Sequence, residues 1–451
     1  MTELWDCLQH WRHTGAAARG VPVALTLAVR LLRLGLLDDA LRILREVEIY
    51  SVFPKHQAAT LTLLAQAART QRDWDSVARL CERWDSFHSK HNMVQQRHGH
   101  FELLRAEAMF YSQDTVGEIP PYLVRCVSSG TASSSHRIAA GFLAMRAAHN
   151  AGDPALAVTV FDAVRDLRGS SRIPRIRRLM IEGIYQGSFG SVDRACASLE
   201  EAVRIAGSLR HEIARHVLIR QACFGLRRYG NAADAEALLL ESLAVFRRFS
   251  LLSQALVCVE QLGQSAAWEG RFDEAFRWIT ESASLAPSVR EFIARAIEDS
   301  LRTILAFEAW DPELLAAGGQ EDAYAGASPK LRRVHQQTLS SKTAKLLLLG
   351  EKPLDETIAT LTTLHSHMRT QSDQDFPTAV LASALADMGR SDDAKTLVEG
   401  YLAEHRREAT PLIPSLRRTI GRLGCAVPEA RNRSELGYSL GSPRVDSKAN
   451  V

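Results

Sequence analysis

The stretch GRFDEAFRWI, from Gly270 to Ile279, indicates the fold of this sequence. Its glycine is followed five residues later by Ala275, and four residues after that by a larger apolar side chain, Ile279. Glycine adopts the left-handed backbone conformation that often ends a helix. Residues four apart, such as Ala275 and Ile279, lie on one face of a helix. The stretch therefore predicts a tight turn that opens a second, closely packed helix.

The same pattern of glycine, alanine and larger apolar residue recurs along the chain. Further copies are Gly35/Ala40/Leu44, Gly152/Ala157/Phe161, Gly190/Ala195/Leu199, Gly230/Ala235/Leu239 and Gly389/Ala394/Val398. The glycines at positions 152, 190, 230 and 270 are evenly spaced, and the longer gaps from 35 to 152 and from 270 to 389 are each close to three such steps. Weaker matches lie near positions 72, 112, 310 and 350. About ten units of about 40 residues thus account for nearly the whole chain.

Each unit is predicted to be a helix, a tight turn and a second helix. A single helical hairpin cannot bury its apolar face, so the units must stack on their neighbours. The apolar fraction of 46% and the charged fraction of 24% are those of a folded protein, and Ala, Leu and Arg favour helices. We therefore expect an all-α fold, an α-solenoid over 21–424, with a capping segment over 1–20 and a flexible polar tail over 425–451.

The hairpins resemble tetratricopeptide repeats, in which a small residue ends the first helix and an alanine recurs early in the second. EGRFDEAFRWI is the best match, and Leu262 and Gly263 stand where that family has a Leu-Gly pair. The unit is longer than the consensus of about 34 residues. In this it is similar to the divergent repeats in the sensor regions of large bacterial transcription activators. The resemblance implies a bacterial protein whose right-handed superhelix has a concave groove lined by the first helices.

Polar residues of the first helices are the candidates to line that groove. Counting back from the turn glycines gives Arg146, His149, Asn150, Arg220, Arg227, Arg228, Glu260, Gln264 and Trp268. Trp and Arg are common hot spots of protein interfaces, so these residues are predicted to bind a segment of a partner protein. The alternative is that Trp268 packs between helices and the arginines face water.

A second candidate is the basic patch in RDLRGSSRIPRIRR, which holds Arg165, Arg168, Arg172, Arg175, Arg177 and Arg178. Residues 165–248 contain fifteen Arg, no Lys and nine acidic residues, although the net charge of the whole chain is only +3. Guanidinium groups capture carboxylates and phosphates in a bidentate manner. The patch predicts binding of an acidic peptide, a phosphate group or nucleic acid. The alternative is a solvated face whose arginines pair with Glu200, Glu201 and Glu212.

Four histidines, His88, His91, His98 and His100, fall within thirteen residues. Imidazole suits transition metals, but no cysteine lies nearby and no i, i+4 pair is formed. The sequence favours polar histidines of a loop connecting two helices, and we expect no metal site and no cofactor.

The remaining features concern location and function class. The seven cysteines are scattered without a CxxC, and the chain contains no signal-peptide pattern and no apolar run of about 18 residues. No phosphate-binding loop or HExxH motif occurs. The sequence predicts a cytoplasmic, non-catalytic scaffold, adaptor or regulatory subunit that binds another protein and no membrane. The alternatives are a sensor of a peptide or small ligand, and nucleic-acid binding through the arginine-rich middle.

Overall fold

In a computed structural model of the chain, the residues described are 2–13, 17–51, 53–91, 98–111, 121–130, 132–151, 153–169, 171–229, 232–285, 301–316, 336–367, 371–405 and 412–425. Every regular element in these ranges is a helix. The helices are α1 (Thr2–His13), α2 (Ala17–Leu34), α3 (Leu37–Tyr50), α4 (Pro54–Gln71), α5 (Trp74–His91), α6 (His98–Tyr111), α7 (Pro121–Ser128), α8 (Ser134–Ala151), α9 (Pro154–Arg165), α10 (Arg172–Phe189), α11 (Val192–Gly207), α12 (Glu212–Tyr229), α13 (Ala232–Arg248), α14 (Leu252–Trp268), α15 (Phe272–Leu285), α16 (301–309), α17 (Glu313–Ala316), α18 (Gln336–Leu348), α19 (Asp355–His367), α20 (Gln371–Asp387), α21 (Ser391–His405) and α22 (Pro414–Leu423).

The helices pair into units, from the first unit, α2–α3, to the tenth, α20–α21. Within a unit a hairpin turn joins the first helix to the second, and a connecting turn then leads to the next unit. Consecutive helices pack on each other, and first helices of successive units also touch, as in α8 on α10 and α10 on α12. Helix α1 covers α2, and α22 packs on α20 and α21. The prediction of an all-α helical-repeat solenoid is confirmed.

The hairpin turns contain left-handed residues at the predicted spacing. Positive φ angles occur at Gly35 (79°), Arg72 (59°), Gly270 (77°), Trp310 (56°), Gly350 (72°) and Gly389 (79°). The last four follow one another at the repeat period, so the weakly matching units near 72 and 310 have the same turn as the strong ones. A left-handed Arg or Trp costs about 1 kcal/mol, which the packing of the array must offset. Positions 112, 152 and 230 lie outside the described residues.

Gly190 departs from the expected left-handed turn. Its φ of −141° and ψ of −123° lie outside the left-handed region. The Gln186 side chain instead bends back, and its Oε1 accepts a hydrogen bond of 3.1 Å from the Ser191 amide. A Cβ at position 190 would lie 2.3 Å from that Oε1. Glycine here leaves room for the Gln186 cap, which a larger residue would displace, and it is not required by a left-handed φ angle.

The alanines of the repeat pattern all lie in the core. Ala40, Ala157, Ala195, Ala235, Ala275 and Ala394 are at most 1% exposed. A larger side chain at such a position would push two helices apart, because protein interiors are close-packed. The alanine therefore sets the spacing between helices in each unit.

The array also coils back on itself. A Cβ on Gly35, in the first hairpin turn, would lie 2.5 Å from Phe249 Cδ1 and 2.6 Å from Ile213 Cδ1. Both contacted side chains belong to connecting-turn ends of the sixth unit, far from Gly35 in sequence. In the next unit, Gln254 at the start of α14 donates a 3.3 Å hydrogen bond to the Thr70 carbonyl at the end of α4. A hairpin-turn end thus rests on the connecting-turn end of a unit about five units later.

Helix α22 makes a contact of the same kind. A Cβ on Gly270, in the seventh hairpin turn, would lie 3.6 Å from Pro414 Cγ at the start of α22. Glu308 of α16 is buried and accepts 2.7 Å hydrogen bonds from the amide and the hydroxyl of Ser415. Arg418 donates to the carbonyls of Phe307 and Glu308 and lies over the Trp310 ring. These contacts fasten α22 to α16 across a long separation in sequence.

Coiling at this pitch encloses the first helices. Helix α14 is buried on most of its surface, from Gln254 to Ala267, and residues 376–385 of α20 are all buried. The second helices α13 and α15 each keep one exposed face. Ala, Gly and Ser in the first helices permit this packing from several sides. In the described part of the chain, no helix is both long and apolar enough to cross a membrane.

We expect Gly35→Ala to destabilise the protein more than Gly389→Ala. Both glycines have a φ of 79°, so both substitutions carry the left-handed cost of about 1 kcal/mol. Only the Gly35 methyl meets other residues, because nothing lies within 4 Å of a Cβ on Gly389. The expected excess is roughly 1–3 kcal/mol in the free energy of unfolding, measured by urea denaturation. Equal losses in the two variants would show that the contact with Phe249 and Ile213 does not form.

We expect the free energy of unfolding to decrease as the pH rises, because Glu308 is buried. Burial raises the pKa of Glu308 from its usual 4.5 to about 7, against the lowering effect of Ser415 and Arg418. Between these values the folded chain keeps a proton that the unfolded chain has lost, so stability falls with increasing pH by on the order of 3 kcal/mol at most. As the pH increases from about 5 to about 8, the thermal midpoint of the wild type should decrease relative to that of Glu308→Gln. A difference independent of pH would contradict this.

Candidate partner-binding surfaces

The groove candidates of α12 and α14 form a cluster inside the protein. Arg227 is buried, and its guanidinium donates to the Gln261 carbonyl, to Gln264 Oε1 at 3.1 Å and to Ser265 Oγ at 3.3 Å. The guanidinium also lies 5.0 Å from the centre of the Trp268 ring, which is half-buried. We call Arg227, Gln261, Gln264, Ser265 and Trp268 the interior arginine cluster. The hydrogen bonds of this cluster join α12 to α14.

The other groove candidates have different positions. Arg220 is buried, and so is His149, whose Nδ1 lies 2.8 Å from Ser188 Oγ. Arg146 is half-buried over the Phe110 ring, and Glu260 is half-buried and accepts from Gln264 Nε2 at 3.4 Å. The side chains of Asn150 and Arg228 lie outside the described part of the structure. Tight coiling encloses Arg220 and Arg227 of α12 within the protein. The sequence predicted instead that these arginines face either a groove or water. Partner binding by these residues remains a prediction.

We expect Arg227→Ala to act mainly on stability. The substitution leaves the Gln261 carbonyl and Gln264 Oε1 buried without their donor, which costs roughly 2–3 kcal/mol in the free energy of unfolding. Arg165→Ala is the control, since Arg165 is exposed and a change there costs less than about 0.5 kcal/mol. Chemical denaturation of both variants is the measurement. A fully stable Arg227→Ala protein would mean that the cluster is open to solvent.

The predicted basic patch lies at the surface, at the connecting turn between α9 and α10. Arg165, Arg168, Arg172 and Arg175 are exposed, and Arg177 and Arg178 are half-buried. Arg172 Nη1 donates to the Ser208 carbonyl at 2.8 Å, which brings the patch beside the next connecting turn, 208–211. Arg204 and Arg210 are also exposed there. We call these eight residues the Arg surface.

The Arg surface retains most of its positive charge. Arg178 donates to the carbonyls of Arg165 and Leu167 at 3.3 and 3.2 Å, and a carbonyl dipole does not neutralise a guanidinium. Asp162 and Asp166 pair with Arg165, and Glu201 pairs with Arg175 and Arg204. Within the described residues, Arg168 and Arg210 form no ion pair and face solvent.

Glu201 is the main acidic residue beside the arginines of the Arg surface. It pairs with Arg204 and, at 3.0 Å, with Arg175, and the hydrogen bond from Arg204 lowers the pKa of Glu201. Of the other predicted acidic partners, Glu212 pairs with Arg248. Burial, followed by the charge of Asp234, raises the pKa of Glu200. One carboxylate shared between two guanidinium groups leaves the region positively charged.

Sequence reasoning missed two members of the Arg surface. Arg204 and Arg210 belong to the same arginine-rich stretch, but they lie well beyond the predicted patch in sequence. Their proximity follows from the stacking of the fifth unit, α10–α11, which sets the α11 end beside the α10 start. The unit period would have revealed it, since residues at the two ends of one unit share the edge formed by the connecting turns.

The histidine cluster belongs to two helices and is not confined to a loop. His88 and His91 end α5, where they pack near Trp84 and Phe87 with ring centres 6.4 and 4.8 Å apart. His98 and His100 lie in the first turn of α6. In the described ranges, no group of three or more His, Cys, Asp or Glu is arranged to hold a metal ion.

The sequence was compared with protein families and with curated proteins. No protein-family model matches the chain, and no curated protein matches it in sequence.

Proposed function

We propose that this protein is a non-catalytic scaffold that binds an acidic segment of a partner protein on the Arg surface. The observation that supports this is the exposed, incompletely neutralised charge of Arg168, Arg172 and Arg210 on neighbouring connecting turns. Guanidinium groups at fixed positions bind carboxylates in bidentate pairs, and arginine is enriched at protein interfaces. The helical-repeat fold supports the same assignment, because stacked repeats offer extended binding surfaces.

The Arg surface is a better candidate than the interior arginine cluster. A partner can reach the Arg surface without any rearrangement of the solenoid. Contact with Arg227 would require α12 and α14 to separate, with loss of the hydrogen bonds to Gln261 and Gln264. Sensing of a small ligand or peptide between these helices remains a second proposal, which predicts a change in compactness when the ligand binds.

The tetratricopeptide-like character and the location of the protein are part of this proposal. Left-handed hairpin turns followed by buried alanines support the resemblance. None of the seven cysteines forms a disulfide, and five of them are buried, which fits a reducing compartment such as the bacterial cytoplasm. In that setting the protein would act as an adaptor or regulatory subunit.

A charge reversal on the Arg surface tests the function. We expect Arg168→Glu/Arg172→Glu/Arg210→Glu to weaken binding of an Asp/Glu-rich peptide by roughly tenfold or more, since three charge-assisted contacts become repulsive. Fluorescence anisotropy with labelled peptide, at low and moderate salt, measures the effect. The matched control is Arg194→Glu/Arg277→Glu/Arg417→Glu, which makes the same charge change at exposed arginines elsewhere.

The outcome separates the proposed partner from nucleic acid. Preferential binding of the peptide, lost in the Arg-surface variant and kept in the control, supports the proposal. Preferential binding of single-stranded RNA or duplex DNA, with a steep dependence on salt, would transfer the function to nucleic acid. Equal loss in both triple variants would mean that only net charge matters and would contradict a defined site.

A further inference from the structure

The first hairpin turn joins two hydrophobic cores of the protein. Ile43 of α3 belongs to the core of the first three units, whereas Leu37, at the start of the same helix, belongs to the core of the middle units. Gly35, two residues before Leu37, lies against Ile213 and Phe249 of the sixth unit. The coil is therefore closed at this place by a contact between the first and the sixth unit.

A half-buried histidine, His211, lies at this contact, immediately before α12. Its Nδ1 accepts a 3.2 Å hydrogen bond from the Ala214 amide, so His211 caps the amino terminus of α12. An amide N–H can only donate, so Nδ1 has no proton, and His211 is the neutral imidazole with its proton on Nε2. The cap therefore exists only while His211 is uncharged.

Three features of the closed contact oppose a second proton on His211. Protonation of Nδ1 removes the acceptor of the Ala214 amide. The positive end of the α12 dipole disfavours a cation at the helix start. Burial, and then the charge of Arg33 at the end of α2, lower the pKa of His211, although a backbone hydrogen bond raises it. We call Arg33, Gly35, His211, Ile213 and Phe249 the clasp.

The other charged groups near His211 are mainly cations. Glu212, the next residue, pairs with Arg248 of α13. On α3, Asp38 is exposed, and Asp39 pairs with Arg42. The remaining charged residues on α12 and on the connecting turn before it are Arg172, which donates to the Ser208 carbonyl, Arg210 and Arg215. A protonated His211 would thus add to an excess of positive charge.

We propose that the clasp is a pH-sensitive contact that opens when His211 is protonated, so that the first two units separate from the sixth and seventh. The hydrogen bond from Gln254 of the seventh unit to the Thr70 carbonyl of the second unit breaks in the same motion. Opening exposes Leu37 and Ile213, which are 6% and 4% exposed in the closed protein. The proposal does not depend on binding at the Arg surface.

The direction of the pH effect follows from the two states of His211. In the open protein, His211 binds a proton near its usual pKa of 6.5, whereas in the closed protein its pKa is lower. The clasp is therefore fully favoured above about pH 6.5 and weakens as the pH falls below that value. Glu308 has the opposite effect, because its raised pKa makes the contact with α22 stronger as the pH falls.

Small-angle X-ray scattering of the full-length chain, from about pH 7.5 to about pH 5.5, tests the proposal. The radius of gyration of the wild type should increase as the pH falls, while the helical signal in far-ultraviolet circular dichroism stays constant. Hydrogen exchange, corrected for its intrinsic dependence on pH, should lose protection in the peptides that contain Leu37 and Ile213. His211→Asn should remain compact and protected, because asparagine caps a helix without titrating.

Two further variants identify the group responsible. Arg33→Gln should move the opening to lower pH, because one of the three penalties on the protonated histidine is removed. His136→Asn, in α8 and outside the clasp, is the matched control and should open like the wild type. Burial also lowers the pKa of His56 and His216, but both residues remain in His211→Asn, so that variant isolates the effect of His211.

Three results would overturn the proposal. The first is a wild type whose radius of gyration and exchange do not change over this pH range. The second is a His211→Asn protein that opens at the same pH as the wild type. The third is an expansion accompanied by loss of the helical signal, which would mean that the whole chain unfolds in acid and that no separate clasp opens.

Discussion

The close approach of two helices over a buried alanine is the contact on which the structure depends. It recurs in each recognisable unit, five residues after a hairpin turn, and it is nearly free of solvent from Ala40 to Ala394. A left-handed turn residue directs the chain into that contact, even at Arg72 and Trp310, where the backbone conformation is unfavourable for the side chain. Packing between hairpins therefore dominates over local preference at these turns.

A second constraint arises because the units coil tightly. The end of one hairpin rests on the opposite end of another about five units later, through Gly35 on Phe249 and Thr70 on Gln254. This contact joins units far apart in an array whose other contacts are local. The free energy of folding is therefore not a simple sum over neighbouring units. Helix α22 is also held by a long-range contact, with Glu308 as a buried hydrogen-bond acceptor for Ser415.

Coiling also divides the arginines of the middle units into two groups with different roles. Those in the middle of α12, Arg220 and Arg227, are enclosed, and Arg227 hydrogen-bonds to polar groups of the neighbouring helix. Those near connecting turns, such as Arg168 and Arg210, remain in water with their charge available. A buried guanidinium joins helices, whereas an exposed one attracts anions, although the residue type is the same. Position along the unit, more than composition, separates structural arginines from candidate binding arginines.

The sequence by itself determined the helical-repeat fold, the repeat period and most turn positions, because glycine and alanine have backbone and packing properties that act locally. It also located the Arg surface from Arg165 to Arg178, since charge density is visible in one dimension. Only the tertiary structure decided that Gly190 makes room for Gln186, that Arg227 is enclosed, and that Arg204 and Arg210 join the Arg surface. These outcomes depend on the pitch of the coil, which arises from contacts between residues far apart in the sequence, and no local pattern encodes such contacts.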